Sequence, residues 1–273
     1  MGYQLDRNEH LLSGIDLSRK GVEYGPLTCP IVTKDMAPVL YVDYADTETI
    51  KAKGYREDDP NKIVDIDLVW GEKPLKESGP FAYALASHVI EHVPDPIGWL
   101  LEISESITDD GIICLAIPDK RYTFDLNRPV STTGELVEAY LQKHTRPSIK
   151  QMFDNCRLAV EIDVEDAWSG RTQAPLLMGE VALQLAYDQA HSQMKNDNYI
   201  DSHCWIFTPE SFLNIFEDII KLKILPLEID RFVPTSRGTF EFLVRFRRSG
   251  TDPIYTIQCA REILRNQEHN IVT

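Results

Sequence analysis

Short apolar segments rich in Val, Ile, Leu and Tyr alternate with helical patterns and turn residues along most of the chain. This alternation is typical of a parallel sheet whose strands are joined by helices. Five segments are predicted as its first strands: Lys20–Tyr24, Val39–Asp43, Ile63–Leu68, Phe81–Ser87 and Gly111–Ile117. Ligands of such sheets bind outside the carboxyl ends of the strands, so the residues that follow these segments are the candidates for chemistry.

A helix is predicted between the fourth and fifth strands. Asp95 is its N-cap and Pro96 its first residue, and apolar residues follow at helical spacing until Asp109-Asp110-Gly111, where we expect the helix to end. From Asp119 to about Ile200 the pattern becomes mostly helical, which predicts an insertion.

The sheet pattern resumes after this insertion. A helix begins at Thr208, and two further strands, Ile224–Phe232 and Thr239–Arg247, are joined by a turn at Gly238 before a last helix at about Ile257–Asn266. The predicted fold is α/β: a doubly wound, seven-stranded, Rossmann-like sheet with a helical insertion after strand five. Its three parts would be a cofactor-binding part (1–118), a helical cap (119–204) and the completion of the sheet (205–273).

Charge and composition narrow the possible partners. The chain has 273 residues with 28 Lys and Arg against 43 Asp and Glu, a net charge of −15, which would repel a nucleic acid. Its five cysteines form no CxxC pair and suggest reduced thiols in a cytoplasmic protein. No apolar run approaches the roughly 18–20 residues that cross a bilayer, so no membrane span is expected. The oligomeric state cannot be predicted from the sequence.

Two residues near the ends of the first two strands suit a nucleotide-like ligand. Asp43 ends strand two, where a carboxylate can accept hydrogen bonds from a ribose, and Gly25 follows strand one, where a missing side chain lets the backbone approach a ligand. Each feature alone is also common in ordinary turns. Their separation of roughly 20 residues strengthens the ligand interpretation.

With these residues the chain resembles the class I S-adenosylmethionine-dependent methyltransferases. The resemblance rests on Glu23-Tyr24-Gly25, Val42-Asp43, Val64–Leu68, the run ALASHVIEHVPDPIGWLLEIS and Gly111–Pro118, and covers about residues 18–125 and 205–248. The stretch from Ala86 to Asp125 looks especially like bacterial methyltransferases associated with glycan biosynthesis. The resemblance implies S-adenosylmethionine as cofactor, held by the following residues: Glu23, Tyr24, Gly25, Pro26, Asp43, Asp67, Leu68 and Ser87. Asp43 would hold the ribose, Glu23 and Gly25 the methionine end, and Asp67-Leu68 the adenine.

The first loop departs from the family pattern. Pro26 stands where a second glycine is usual, and a proline fixes φ and lacks a backbone donor. The methionine carboxylate would therefore be held differently. This departure leaves open a second hypothesis, a methyltransferase-shaped binding or scaffold protein without turnover.

His88, Glu91 and His92 form an H-x-x-E-H spacing that also occurs in zinc proteases. Pro94 and Pro96 follow too closely for the sustained helix that such a protease site needs. The spacing is also similar to that of some quinone-pathway O-methyltransferases, which hold a divalent ion with acidic and histidine ligands. Because His88 stands where those enzymes have a carboxylate, we expect no metal ion, and Glu91 and His92 are expected to orient the loop and cap the following helix. A divalent ion near the acceptor oxygen is the alternative that the spacing leaves open.

Methyl transfer to a hydroxyl requires an aligned acceptor and a group that accepts its proton. His88 and His203 are the candidate bases, and Asp119 is a further candidate catalytic group. Arg121 and Tyr122, which follow strand five, are predicted to contact the acceptor. Trp205 is a further acceptor candidate; with Trp168, Tyr187 and Tyr199 it could line an acceptor pocket or pack in the core. The sequence thus predicts O-methylation of a sugar, a glycan or another hydroxylated small molecule. N-methylation is the open alternative, since an amine needs only a neutral lone pair.

Overall fold

Seven strands form one sheet in the computed structural model, which describes residues 2–54, 59–171, 173–195, 200–248, 250 and 252–272. The strands are β1 (Gly21–Tyr24), β2 (Val39–Asp43), β3 (Leu68–Val69), β4 (Phe81–Ser87), β5 (Ile107–Pro118), β6 (Leu227–Val233) and β7 (Glu241–Arg248). Their order is β3-β2-β1-β4-β5-β7-β6. Strands β1 to β5 pair in parallel, whereas β7 lies antiparallel between β5 and β6. The doubly wound α/β sheet predicted from the sequence is confirmed.

Helices surround this sheet. Over the described residues they are α1 (Gly2–Leu12), α2 (Thr47–Lys53), α3 (Pro96–Ser106), α4 (Thr133–Gln142), α5 (Ile149–Leu158), α6 (Val164–Trp168), α7 (Ala182–Lys195), α8 (Pro209–Lys221) and α9 (Pro253–Val272). Short 3-10 helices occur at Pro60–Lys62, Leu75–Glu77, Lys120–Tyr122 and Gly179–Val181. None of the helices in the described ranges is long and apolar enough to cross a membrane.

The apolar residues of the strands face two layers of core. One layer packs α3, α8 and α9 against the sheet and contains the buried side chains Phe81, Leu100 and Phe212. The other layer contains Leu11 of α1 with Tyr83. Burial on both faces explains why the central strands are nearly continuous apolar runs in the sequence.

Several predicted boundaries are wrong: β5 begins at Ile107 instead of Gly111, β6 at Leu227 instead of Ile224 and β7 at Glu241 instead of Thr239, and the last helix spans Pro253–Val272 instead of about Ile257–Asn266. Two further differences have a physical cause. Strand three was expected over Ile63–Leu68, but only Leu68–Val69 pairs as a strand. The backbone N–H of Tyr41 on β2 donates to the carboxylate of Asp67 (2.8 Å). This N–H therefore bonds a side chain, and not a backbone carbonyl of a longer third strand. Helix α3 ends at Ser106 instead of Asp109-Asp110-Gly111, because β5 begins at Ile107 and its pairing with Phe81 extends the sheet.

The segment between β5 and β6 carries α4 to α8, and its first four helices occupy the predicted insertion. Helices α4 and α5 each begin with a reciprocal capping box, Thr132 with Glu135 and Ser148 with Gln151. The two ends of the insertion come together, because the guanidinium of Arg128 donates to the carbonyl oxygen of His203 (2.8 Å).

Candidate functional site

A cavity of about 500 Å³ opens at the carboxyl ends of β1, β2 and β4. The order of the strands reverses between β1 and β4, which is where ligands of doubly wound sheets bind. The strand ends contribute Tyr24, Gly25, Val42, Asp43, Ser87 and His88 to its lining. Neighbouring loops contribute Leu27, Tyr44, Trp70, Val89, His92 and Pro94, α3 contributes Trp99, and the insertion contributes Thr145 and Asp201.

Asp43 has a buried carboxylate oxygen that has no hydrogen-bond partner among the described residues. Its Oδ1 accepts the backbone N–H of Tyr44 (2.7 Å), whereas Oδ2 is buried and makes no hydrogen bond. Burial raises the pKa of Asp43 to about 6. A buried acceptor at a cavity wall calls for a donor from a ligand. The two hydroxyls of a ribose are donors of this kind, so the residue fits the cofactor role predicted for it.

Gly25 follows β1 with a φ of 62°, a conformation that favours glycine. A Cβ at this position would lie 2.8 Å from Cγ2 of Val89. Its backbone N–H donates to the carbonyl oxygen of Val42 (2.9 Å), which ties the loop to β2. The absence of a side chain therefore keeps this wall of the cavity open. Pro26, the next residue, is not among the lining residues.

Glu23 has a different place from the one predicted. Its carboxylate accepts the backbone N–H groups of Ile31 (2.6 Å) and Val32 (3.0 Å), and it is not among the residues that line the cavity. These bonds fix the segment that follows the first loop. Glu23 therefore supports the cavity from behind.

The predicted adenine residues also lie outside the main cavity. Asp67 accepts the backbone N–H of Tyr41 and pairs with Lys34 (2.7 Å), and Leu68 lines a separate, smaller cavity. Trp70, just beyond β3, lines the main cavity instead, and its indole N–H donates to Glu102 (3.0 Å). Trp70 is not among the residues predicted from the sequence, where its signal is an aromatic residue two positions after the predicted strand Ile63–Leu68.

His88 lines the cavity with a φ of 54°, where a residue other than glycine is uncommon. Its Nε2 lies 2.8 Å from Oε2 of Glu241, and its Nδ1 lies 3.6 Å from Oε1 of Glu91. Burial alone would raise the pKa of Glu241, but hydrogen bonds from His88 and Arg7 outweigh it and lower the pKa to about 2. An ionised Glu241 can only accept, so Nε2 of His88 donates to it, and in the neutral imidazole the lone pair is then on Nδ1.

Arg7 of α1 completes this network. Its Nε donates to Oε1 of Glu241 (2.5 Å), and its guanidinium also bonds the hydroxyl of Ser87. Ser87 lines the cavity as expected, and it is held by a residue far away in the sequence. The sequence alone could not reveal Arg7 or Glu241, because 234 positions separate them.

A second pair of histidines lies beside His88. His92 lines the cavity, and its Nδ1 bonds Asp201 (2.8 Å). His203 is buried behind His92, with ring centroids 4.6 Å apart, and its Nδ1 bonds Asp125 (2.5 Å). Of the two bases predicted from the sequence, only His88 is among the cavity-lining residues.

The remaining predicted residues hold the loops over the sheet edge. Asp119 is fully buried and accepts bonds from Arg121 (2.7 Å) and from the hydroxyl of Thr235 (2.8 Å), so its carboxylate is engaged within the protein. Tyr122 stacks on Trp168 at a centroid distance of 4.1 Å. None of these residues is among those that line the cavity. Their contacts explain why exposed-looking polar and aromatic residues follow β5 in the sequence.

Trp205 packs in the core. It is 2% exposed, and its indole N–H donates to the carbonyl oxygen of Val93 (2.6 Å). Of the two roles considered for Trp205, the structure supports packing in the core over contact with the acceptor. Trp168 is also engaged, since its indole N–H donates to the carbonyl of Thr239 (2.8 Å). Tyr187 is exposed on α7, and Tyr199 lies outside the described residues.

The sequence profile of a methyltransferase domain family matches residues 10–219. This match spans most of the chain, which therefore belongs to the methyltransferase domain family and is a methyltransferase. No curated protein matches the sequence significantly.

Several solved structures match most of this chain at low identity. A Rhodobacter sphaeroides protein provisionally assigned as a Zn-dependent alcohol dehydrogenase is 18% identical, with 90% of each chain covered and a TM-score of 0.49. The CcbJ methyltransferase from Streptomyces caelestis is 10% identical, with 90% of each chain covered and a TM-score of 0.43. An S-adenosylmethionine-dependent methyltransferase from Mesorhizobium loti is 12% identical, with 90% of this chain and 97% of that chain covered and a TM-score of 0.42. The family assignment rests on the sequence profile alone.

Proposed function

We propose that this methyltransferase transfers the methyl group of S-adenosylmethionine to a hydroxyl group of a sugar, a glycan or a similar small molecule. S-Adenosylmethionine supplies an electrophilic methyl group when bound. The observation that carries the proposal is His88, a cavity-lining imidazole whose Nε2 bonds the carboxylate of Glu241, which leaves Nδ1 of the neutral ring as the position that can accept a proton.

One side of the cavity suits the cofactor. Oδ2 of Asp43 is the acceptor for the ribose, and Gly25 gives close access to the backbone of the first loop. The indole of Trp70 offers an aromatic face at the end of β3. These residues lie at the ends of three adjacent strands, in the order in which the strands pair.

The other side of the cavity suits the acceptor. His88 accepts the hydroxyl proton at Nδ1, and the positive charge that forms on its ring is stabilised by the carboxylate of Glu241. Thr145 and Asp201, which lie within the insertion, complete the lining here. The insertion therefore selects the acceptor, which supports its assignment to residues 119–204. We place the reaction in the cytoplasm, since all five cysteines are free thiols.

The test is a transfer assay with S-adenosylmethionine labelled at its methyl group and a panel of nucleotide sugars, oligosaccharides, phenols and amines. We expect label in a hydroxylated carbohydrate and a 10²- to 10⁴-fold lower kcat in His88→Gln, about the contribution of a positioned general base. His191→Gln is the matched control, because His191 is exposed on α7.

Transfer only to amines would contradict the proposed acceptor. Binding of S-adenosylhomocysteine without transfer to any member of the panel would favour the alternative, a binding or scaffold protein that keeps the cofactor site. Equal kcat values for wild type and His88→Gln would remove His88 from the reaction.

A further inference from the structure

Glu91 carries a buried carboxylate that the described protein leaves without a hydrogen-bond partner. The residue is 0% exposed, and neither Oε1 nor Oε2 makes a hydrogen bond. Its backbone carbonyl, by contrast, accepts the N–H groups of Cys204 (2.6 Å) and Trp205 (3.1 Å), so the position of the residue is fixed. A buried carboxylate is costly unless it is paired, hydrogen-bonded or coordinated to a metal ion. Only Nδ1 of His88 (3.6 Å) and Nε2 of His92 (3.9 Å) are recorded as ion-pair contacts of this carboxylate among the described residues, both beyond hydrogen-bond distance, so the side chain can take a further partner.

The imidazoles of His92 and His203 lie near this carboxylate, and each ring uses its Nδ1 to bond another carboxylate. His92 uses Nδ1 to bond Asp201, and its Nε2 lies 3.9 Å from Oε1 of Glu91. His203 uses Nδ1 to bond Asp125, which also accepts from Arg128 (2.8 Å). A carboxylate on Nδ1 orients each ring and, in the neutral form of the ring, leaves the lone pair on Nε2. Such carboxylate–histidine pairs are the usual support of histidines that bind a metal.

The three side chains converge on one point. One ligand atom from each of Glu91, His92 and His203 lies within 4.8 Å of the others. Zinc–ligand bonds of about 2.0–2.2 Å put neighbouring ligands of a tetrahedral ion about 3.4 Å apart. The 3.9 Å between His92 and Glu91 needs a contraction of only about 0.5 Å to reach this value. The cluster is thus near the geometry of a binding site.

We infer that Glu91, His92 and His203 bind a divalent transition-metal ion, of which Zn²⁺ suits two imidazoles and one carboxylate best. Three protein ligands leave a fourth position open. Because His92 lines the cavity, this position lies toward the space assigned to the acceptor, whose oxygen the ion would polarise. That role rests on the proposed function, whereas binding of the ion does not.

This inference differs from the expectation of no metal. That expectation came from the presence of His88 in the H-x-x-E-H segment, but His88 is engaged by Glu241 and is not one of the three ligands. The third ligand is His203, from the far end of the insertion. Only the folded chain brings it to Glu91.

The test uses the full chain after removal of bound metal with a chelator. Calorimetric titration with Zn²⁺ is expected to show one equivalent per chain, and X-ray absorption of the Zn²⁺-loaded protein is expected to show a nitrogen and oxygen shell with two imidazoles. Glu91→Gln should weaken Zn²⁺ binding by about 100-fold or more, since a charged ligand is lost. His191→Gln, which changes an exposed histidine, should leave it unchanged.

Three results would overturn the inference: no stoichiometric Zn²⁺ uptake, a zinc shell without imidazole, or equal Zn²⁺ affinity in folded Glu91→Gln. The first result would mean that a protonated His92 balances Glu91 instead. If Glu91→Gln does not fold, the X-ray absorption of the wild type decides. Titration with S-adenosylhomocysteine in the same preparations separates a failure of the cofactor site from a failure of the zinc site.

Discussion

Glu23 and Asp43 are buried carboxylates on neighbouring strands, yet they belong to different regions of the molecule. Glu23 on β1 accepts two backbone N–H groups and serves the loop behind the cavity. Asp43 at the end of β2 accepts one N–H group and keeps its second oxygen unbonded at the cavity wall. The difference shows that the residue type does not decide the role of a buried acid. What decides it is whether the fold itself provides all the donors.

Replacing Glu23 tests the structural half of this comparison. Glu23→Ala leaves two buried N–H groups without an acceptor, and we expect the free energy of unfolding to fall by about 2–4 kcal/mol. Urea denaturation of wild type and variant measures this. A stability within about 0.5 kcal/mol of wild type, the range of an ordinary surface change, would show that these bonds do not hold the loop.

Replacing Asp43 tests the functional half. Asp43→Asn keeps the acceptor for Tyr44 but removes the charge offered to the ribose, so the affinity for S-adenosylhomocysteine should fall by about 1.5–3 kcal/mol, or at least about tenfold. The free energy of unfolding should not fall and should rise at neutral pH, because the charge that is removed is buried and only partly compensated. Calorimetry measures the affinity. An unchanged Kd would remove Asp43 from the cofactor site.

The pH dependence of cofactor binding sharpens the contrast. Burial raises the pKa of Asp43 from 3.8 to about 6, so a native protein at pH 5 carries mostly the neutral carboxyl, which is a poorer acceptor for ribose hydroxyls. Affinity for S-adenosylhomocysteine should fall about tenfold between pH 7.5 and pH 5. Asp43→Asn should show no such dependence. A wild-type Kd that is constant over this range would contradict the proposed hydrogen bonds.

The raised pKa of Asp43 also makes the free energy of unfolding depend on pH, in the direction opposite to cofactor affinity: the protein is more stable at low pH. The contribution of Asp43 to the free energy of unfolding is fully present below pH 3.8 and is lost as the pH rises through about 6. Asp43→Asn should therefore gain stability relative to wild type between pH 4 and pH 7. Thermal unfolding at several pH values measures this gain, and a constant difference between the two proteins would oppose it.

The smallest expected effect concerns Trp70, which lies in the cavity beyond β3. Trp70→Leu removes an aromatic face worth about 0.5–1.5 kcal/mol, so the Kd for S-adenosylhomocysteine should rise about 2- to 12-fold. Trp168→Leu is the matched control, because Trp168 stacks on Tyr122 away from the cavity lining. Equal effects of the two substitutions would mean that Trp70 acts through packing alone.

The sequence predicted the sheet well wherever apolar runs have clear ends. Strands β2 and β4 have the predicted bounds, Val39–Asp43 and Phe81–Ser87. Strand β3 was overestimated, because the alternation of Ile63–Leu68 also suits an extended segment without a strand partner. Helix α1 was not predicted at all.

Only those residues of the candidate site that directly follow a strand could be predicted from the sequence. Asp43 and Gly25 follow strands, so the topology places them at the cavity. Glu23 looked equivalent, but its donors come from residues 31 and 32, whose folding back could not be foreseen. The partners of His88 and His92, namely Glu241 and Asp201, are 153 and 109 positions away in the sequence.

The structure of the full chain crystallised with S-adenosylhomocysteine tests the central claim most directly. We predict a ribose hydroxyl oxygen within about 2.5–3.0 Å of Oδ2 of Asp43, with Glu23 still bonded to Ile31 and Val32. A ribose bound elsewhere, or held by Glu23 released from its loop, would contradict the division of the two carboxylates between cofactor and fold.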